Sequence, residues 1–87
     1  METMKAIEMK DTVAMMLSED YKERFRAEYY QTRIRKNRLH EMCVKYEAGL
    51  LDFEPNCTLA LLREQEKAME EYLFYLEARS AIEGVVL

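Results

Sequence analysis

The residue pattern predicts an all-α protein: an antiparallel two-helix hairpin, with room for a short N-terminal helix, assembling into a helical homo-oligomer. Glu, Lys, Arg, Leu, Met and Ala dominate the 87 residues, and only two glycines and one proline are present to interrupt a helix. Those breakers fall where a hairpin needs them, at Gly49 and Pro55-Asn56 in mid-chain and at Gly84 near the end. A chain of this length has material for one domain. Two helices alone leave much of their area exposed, which makes self-association a natural source of further burial.

Residues 1–17 read as an N-terminal extension or short helix, and residues 18–87 as the hairpin domain. In the extension Met9, Val13 and Met16 or Leu17 recur at helical spacing. Met16-Leu17-Ser18 would serve equally as a start of translation, so residues 1–15 also read as a leader. The first long helix opens at Ser18 or Asp20, because Asp20 and Glu23 have capping-box spacing. Nothing breaks it before Gly49, which gives residues 20–47, roughly 42 Å at 1.5 Å per residue. At 100° per residue Tyr21, Phe25, Thr32, Leu39, Met42, Cys43 and Tyr46 share a stripe, with Glu28 and Arg35 inside it. Two charges in a buried stripe must pair with each other or face a ligand or water. Ala27, Tyr30 and Ile34 fall on another side, and a helix apolar on two sides has two partners.

Residues 50–57 form the turn, with Leu51 and Phe53 expected to fold back over the hairpin end. The second long helix takes Cys57 or Thr58 as its N-cap and spans 58–82. Its main stripe is Leu61, Leu62, Gln65, Ala68, Met69, Tyr72, Leu76 and Arg79, with Ala60, Phe74 and Ala78 opposite. A connection of this length joins antiparallel neighbours.

Charge is unevenly placed. The formal net charge is −4, yet residues 21–45 hold eight Lys/Arg against three Glu, about +5, which leaves about −9 elsewhere. Within residues 29–38 lie Tyr29, Tyr30, Arg33, Arg35, Lys36 and Arg38 without an acid. Cations beside aromatic rings suit a ligand that carries both phosphates and bases, since guanidinium and ammonium pair with phosphate and rings stack on bases. The competing reading is a solvated helix face paired with the acidic second half of the chain. Tyr21, Tyr46 and Tyr72 lie on the main stripes and are expected in the core. Tyr29 and Tyr30 lie off the stripe and are expected to contact a ligand or another protomer.

Other chemistry is poorly supported. His40, Glu41, Cys43 and Cys57 fall short of a closed zinc site, so no metal is expected. No Gly-rich phosphate loop, nucleophile signature or convergent carboxylate pair occurs, so the chain is not read as an enzyme and no cofactor is expected. No apolar run approaches the 18 residues of a membrane span, and Lys5, Glu8 and Lys10 break any secretory signal. Two cysteines suit a reducing cytosol, so a cytoplasmic location is expected. DNA is a poor partner, because the acidic second helix would repel a duplex from the basic first.

The segment Leu61-Leu62-Arg63-Glu64-Gln65-Glu66-Lys67-Ala68-Met69-Glu70-Glu71-Tyr72-Leu73-Phe74-Tyr75-Leu76-Glu77-Ala78-Arg79 resembles the second helix of small bacteriophage helical-hairpin proteins. Tyr21-Lys22-Glu23-Arg24-Phe25, Arg33-Ile34-Arg35 and Leu39 resemble the corresponding first helix, and the likeness covers about residues 17–83. The group is similar to the phage anti-CBASS sponges that sequester cyclic oligonucleotides. That resemblance implies a non-catalytic helical oligomer in the host cell cytoplasm, binding cyclic di- or trinucleotides between protomers through stacking aromatics and basic side chains. Chosen by chemistry, the candidate ligand-binding residues here are Tyr29, Tyr30, Arg33, Lys36 and Arg79. The alternative is a helical interaction module that blocks a host protein, with acidic stretches near residues 47–54 and 64–71 facing a basic surface.

Overall fold

A computed structural model describes residues 6–87 as three helices: α1, Asp11–Met16; α2, Tyr21–Ala48; and α3, Leu59–Glu83. The ends of α2 and α3 are set by their local chemistry. The Asp20 carboxylate accepts the Lys22 backbone N–H at 3.0 Å, and the Thr58 hydroxyl accepts that of Leu61 at 3.2 Å. Each helix stops at a glycine in the left-handed region, Gly49 at φ 71° and Gly84 at φ 72°. Past each glycine the next N–H reaches back, Leu50 to the Lys45 carbonyl at 2.8 Å and Val85 to that of Ser80 at 2.9 Å. The expected bounds of both long helices therefore hold to within one residue.

α2 and α3 form the expected antiparallel pair, and among the described residues α1 packs on α2 alone. α3 meets α2 through Leu59, Leu62, Glu66, Met69, Leu73, Leu76 and Ser80, each buried or half-buried. Their spacing alternates three and four, the 3.5-residue period of knobs-into-holes packing. The facing residues of α2 are Phe25, Tyr29, Thr32, Lys36, Leu39, Cys43 and Tyr46. Phe25, Tyr29, Leu73, Leu76 and Val85 form the central cluster, with Tyr30 and Leu87 packed against it. The core thus sits at the open end of the hairpin, where the tail after Gly84 folds back over it.

The phase of both stripes differs from expectation. In α3 a second line, Leu61, Gln65, Ala68, Tyr72, Tyr75, Arg79 and Ile82, has the same alternating spacing and is exposed throughout. The two lines lie about 100° apart around the helix, and the expected stripe falls between them, taking Leu61, Gln65, Ala68, Tyr72 and Arg79 as buried and omitting Leu73. In α2 the same rotation brings Tyr29 into the core and leaves Tyr21 exposed. Glu28 and Arg35 also stay exposed and form no pair with each other: Glu28 accepts the Tyr72 hydroxyl instead.

The extension and turn bring further corrections. The part of the N-terminal segment that falls on residues 1–5 lies outside the described residues. In α1 the covered residue is Thr12, whose hydroxyl donates to the Met9 carbonyl at 2.6 Å and accepts from Gln31 at 3.0 Å. Val13 and Met16 are about half exposed, and Met16 meets α2 through its sulfur, which accepts from Gln31 at 3.6 Å. Leu51 is half-buried as expected, but Phe53 is 54% exposed: the turn runs beside α2 rather than capping the hairpin.

Truncating the seam should be costly and truncating off it should not. Leu76→Ala is expected to lose about 2–5 kcal/mol of unfolding free energy, whereas Phe74→Ala should stay within about 0.5 kcal/mol. Urea denaturation of the two variants measures the contrast.

Candidate functional site

The basic run of α2 does not converge on one place. At 100° per residue Arg33 and Arg35 point to opposite flanks of the helix, and Arg38 turns toward its back. Lys36 is half-buried and 3.8 Å from Glu70. Arg33, Arg35 and Arg38 are exposed and have no acidic partner among the described residues. Pairing with the acidic half of the chain therefore accounts for Lys36 and not for the other three.

Tyr29 is not a stacking platform. It is 6% exposed and donates its hydroxyl to Glu77 at 2.7 Å; burial first, and this bond second, push its pKa up. Tyr30 is half-buried and meets Tyr29 edge-on, with ring centroids 5.2 Å apart. Arg79 lies across the seam, since on one helix it points about 200° away from Glu77. Within one chain, then, Tyr29, Tyr30 and Arg33 share a neighbourhood that excludes Arg79. The five residues were expected to meet at a boundary between protomers, and one chain by itself does not bring them together.

The two flanks of the α2/α3 pair are chemically unlike. One is a polar ladder in which Tyr29 meets Glu77, Lys36 meets Glu70, His40 Nδ1 lies 2.9 Å from Glu66, and Glu47 pairs with Arg63. The Glu66 carboxyl is held below the usual glutamate range, first by the His40 hydrogen bond. Next to it, burial pushes the Cys43 thiol pKa up. Among the described residues no three His, Cys, Asp or Glu side chains are placed to hold a metal.

The other flank is aromatic and cationic. The Arg79 guanidinium sits 5.1 Å from the Phe25 ring centroid, donates to the Tyr21 hydroxyl at 2.8 Å and binds Glu83 at 2.9 Å. Tyr21 in turn donates to Glu83 at 2.8 Å. That bond first, and Arg79 second, lower the Glu83 pKa. These contacts fix the guanidinium while its face stays partly open to solvent. Beside it a groove of about 270 Å³ is lined by Glu28, Tyr72, Tyr75, Leu76 and Arg79. Tyr75 is 65% exposed and Tyr72 44%. Arg35 lies on the same flank of α2, seven residues and roughly 10 Å beyond Glu28. The flank thus runs from Arg79 through two exposed tyrosines and a carboxylate to Arg35.

Of the expected site residues only Arg79 belongs to this groove. The sequence pattern puts Tyr72 in the core and leaves Tyr75 off both expected faces. The signal for both was the second alternating line through residues 61, 65, 68, 72, 75, 79 and 82.

Fold and groove together define a helical-hairpin protein with one open flank of aromatic and cationic side chains. The family model described as Sequestin matches residues 19–82, which is 64 of the 87, and the chain belongs to that family. No curated protein and no solved structure matches it.

The ladder carries a pH signature. Because the folded-state pKa of Glu66 is depressed, its contribution is present above the unfolded value and is lost as pH falls through the folded one. Glu66→Gln should therefore flatten the acid limb of the thermal stability profile below about pH 4.5 and leave its neutral limb parallel to the native profile. Melting curves from pH 3 to 7 test this.

Proposed function

We propose that the chain binds and sequesters a cyclic oligonucleotide second messenger without altering it, using the flank of Arg35, Tyr72, Tyr75 and Arg79. The observation that carries this reading is the pair of exposed tyrosines set between two cations, one oriented by Phe25, Tyr21 and Glu83 and the other without an acidic partner among the described residues. Phosphates would meet Arg79 and Arg35, bases would stack on Tyr75 and Tyr72, and the Glu28 carboxylate would accept a base N–H. Charge-assisted contacts at about 1.5–3 kcal/mol each and stacking at about 1–3 kcal/mol per base are enough for tight binding. The family description is compatible with ligand sequestration. In the setting implied by the resemblance, this is a phage protein that removes a host antiphage signal in the host cytoplasm. Arg33 and Lys36 lie on or near the ladder flank and play no part in this site.

A second reading has its own observation. Leu50 and Phe53 are 72% and 54% exposed in a turn flanked by Glu47, Asp52 and Glu54. That patch suits docking on a host protein with a basic, apolar surface.

A panel of cyclic di- and trinucleotides in a thermal-shift assay separates the two. A ligand at 100 times its Kd should add about 2.7 kcal/mol of stability and should be recovered unchanged after denaturation. Arg35→Ala with Arg79→Ala should abolish the shift, while Arg33→Ala should leave affinity within about twofold. Loss of binding in Arg33→Ala alone would move the site to the other flank. No shift with any cyclic nucleotide would overturn the sponge reading and leave the host-protein one in front.

A further inference from the structure

α3 carries an apolar line that nothing among the described residues covers. Leu61, Ala68, Tyr75 and Ile82 recur every seven residues, with Leu61 59%, Tyr75 65% and Ile82 84% exposed. Gln65, Tyr72 and Arg79 run alongside and complete a second heptad pattern. The first pattern, about 100° away around the same helix, is the one that packs on α2. A line of the same 3.5-residue period is shaped to receive another helix.

Surface area points the same way. The accessible surface is 6797 Å² for a mass of 10.4 kDa, where a monomer of that mass should expose about 5,400 Å². Residues 1–5 can supply at most about 900 Å² of the total by unfolded-chain scaling; without them and their mass, about 5,900 Å² stands against an expected value of about 5,200 Å², an excess of roughly 700 Å². A stable interface covers about 800 Å² per partner. The radius of gyration, 15.5 Å, likewise exceeds the roughly 12 Å of a compact chain of this length.

We infer that a second copy of this chain docks on the Leu61–Ala68–Tyr75–Ile82 line of α3, pairing α3 with α3 antiparallel about a two-fold axis. The line is self-complementary under that symmetry. Antiparallel pairing about the two-fold sets Leu61 of each copy opposite Ile82 of the other and Ala68 opposite Tyr75, so each small residue receives a large one. Ala68 permits close approach between the bulkier Leu61 and Tyr75. The interface stands independently of the ligand. Resting on the proposed function, it has one consequence more: the second copy roofs the Tyr72 and Arg79 groove, whose 270 Å³ falls below the usual range for enclosed ligand sites of about 300–1,000 Å³.

Sedimentation equilibrium of the full chain, without ligand, tests the interface. The native protein should weigh twice 10.4 kDa at micromolar concentration. Ala68→Glu and Ile82→Glu, neither of which lines the groove, should each weaken dimerisation at least about 100-fold by placing a charge in the seam. Phe74→Glu alters a residue as exposed as Tyr75, 65% in each case, but off the line; it should leave the dimer constant within about threefold. Circular dichroism confirms that all three stay helical. A monomeric native protein overturns the inference. So does a dimer that survives both line variants, or one that Phe74→Glu breaks equally. Thermal shift with cyclic nucleotides on the same proteins is read separately: a dimer lost in the line variants with no ligand shift in the native protein upholds the interface and sinks the sponge.

Discussion

Everything else in the molecule is positioned by the packing of Phe25 and Tyr29 against Leu73 and Leu76, closed by Val85. This contact sets the rotational phase of both long helices, and phase decides which side chains face outward. It depends on Gly84, whose left-handed backbone turns the chain so that Val85 drops onto the cluster. It also depends on Glu77, because a tyrosine hydroxyl taken into a core must find an acceptor. Once that phase is set, Glu77 must line one flank and Arg79 the other.

The flanks differ in what they leave unsatisfied. On the ladder side Tyr29, Lys36, His40 and Glu47 each meet a partner across the seam, leaving Arg33 outside it. Exposed pairs of this kind contribute only about 0–1 kcal/mol each, so their effect is to hold register more than to add stability. The Arg79 side spends its polar contacts on orienting one guanidinium and leaves two tyrosine faces and Arg35 uncommitted. A flank with fixed cations and open rings is built to meet something, whereas the ladder is complete in itself. Both the proposed ligand site and the proposed second copy fall on the incomplete flank, one toward α2 and the other along the outer line of α3.

Helix ends were legible in the sequence because they are local. Asp20, Gly49, Thr58 and Gly84 act within a few residues of their own positions, and each does what its chemistry dictates. Helix phase was less legible because α3 is apolar on two adjacent lines, and an average over both points between them. That single error moved Tyr72 inward and Tyr29 outward, and so split the expected binding residues across two flanks. Tyr29 was the harder case, since a tyrosine beside four cations reads as exposed until Glu77, 48 residues away, is seen to take its hydroxyl. The charge imbalance was legible as such, and three of its four cations do remain without an acidic partner among the described residues. Their divergence around α2 is a matter of angle that composition does not carry.

Whether an intact cyclic nucleotide is held by a pair of these chains is the central question. Sedimentation velocity with a cyclic dinucleotide, followed at 260 nm, asks this directly, because a chain without tryptophan absorbs little there beside the ligand. The account predicts that the nucleotide signal travels with a boundary of twice 10.4 kDa. Nucleotide left at the meniscus, or carried by a boundary of the single-chain mass, would contradict it.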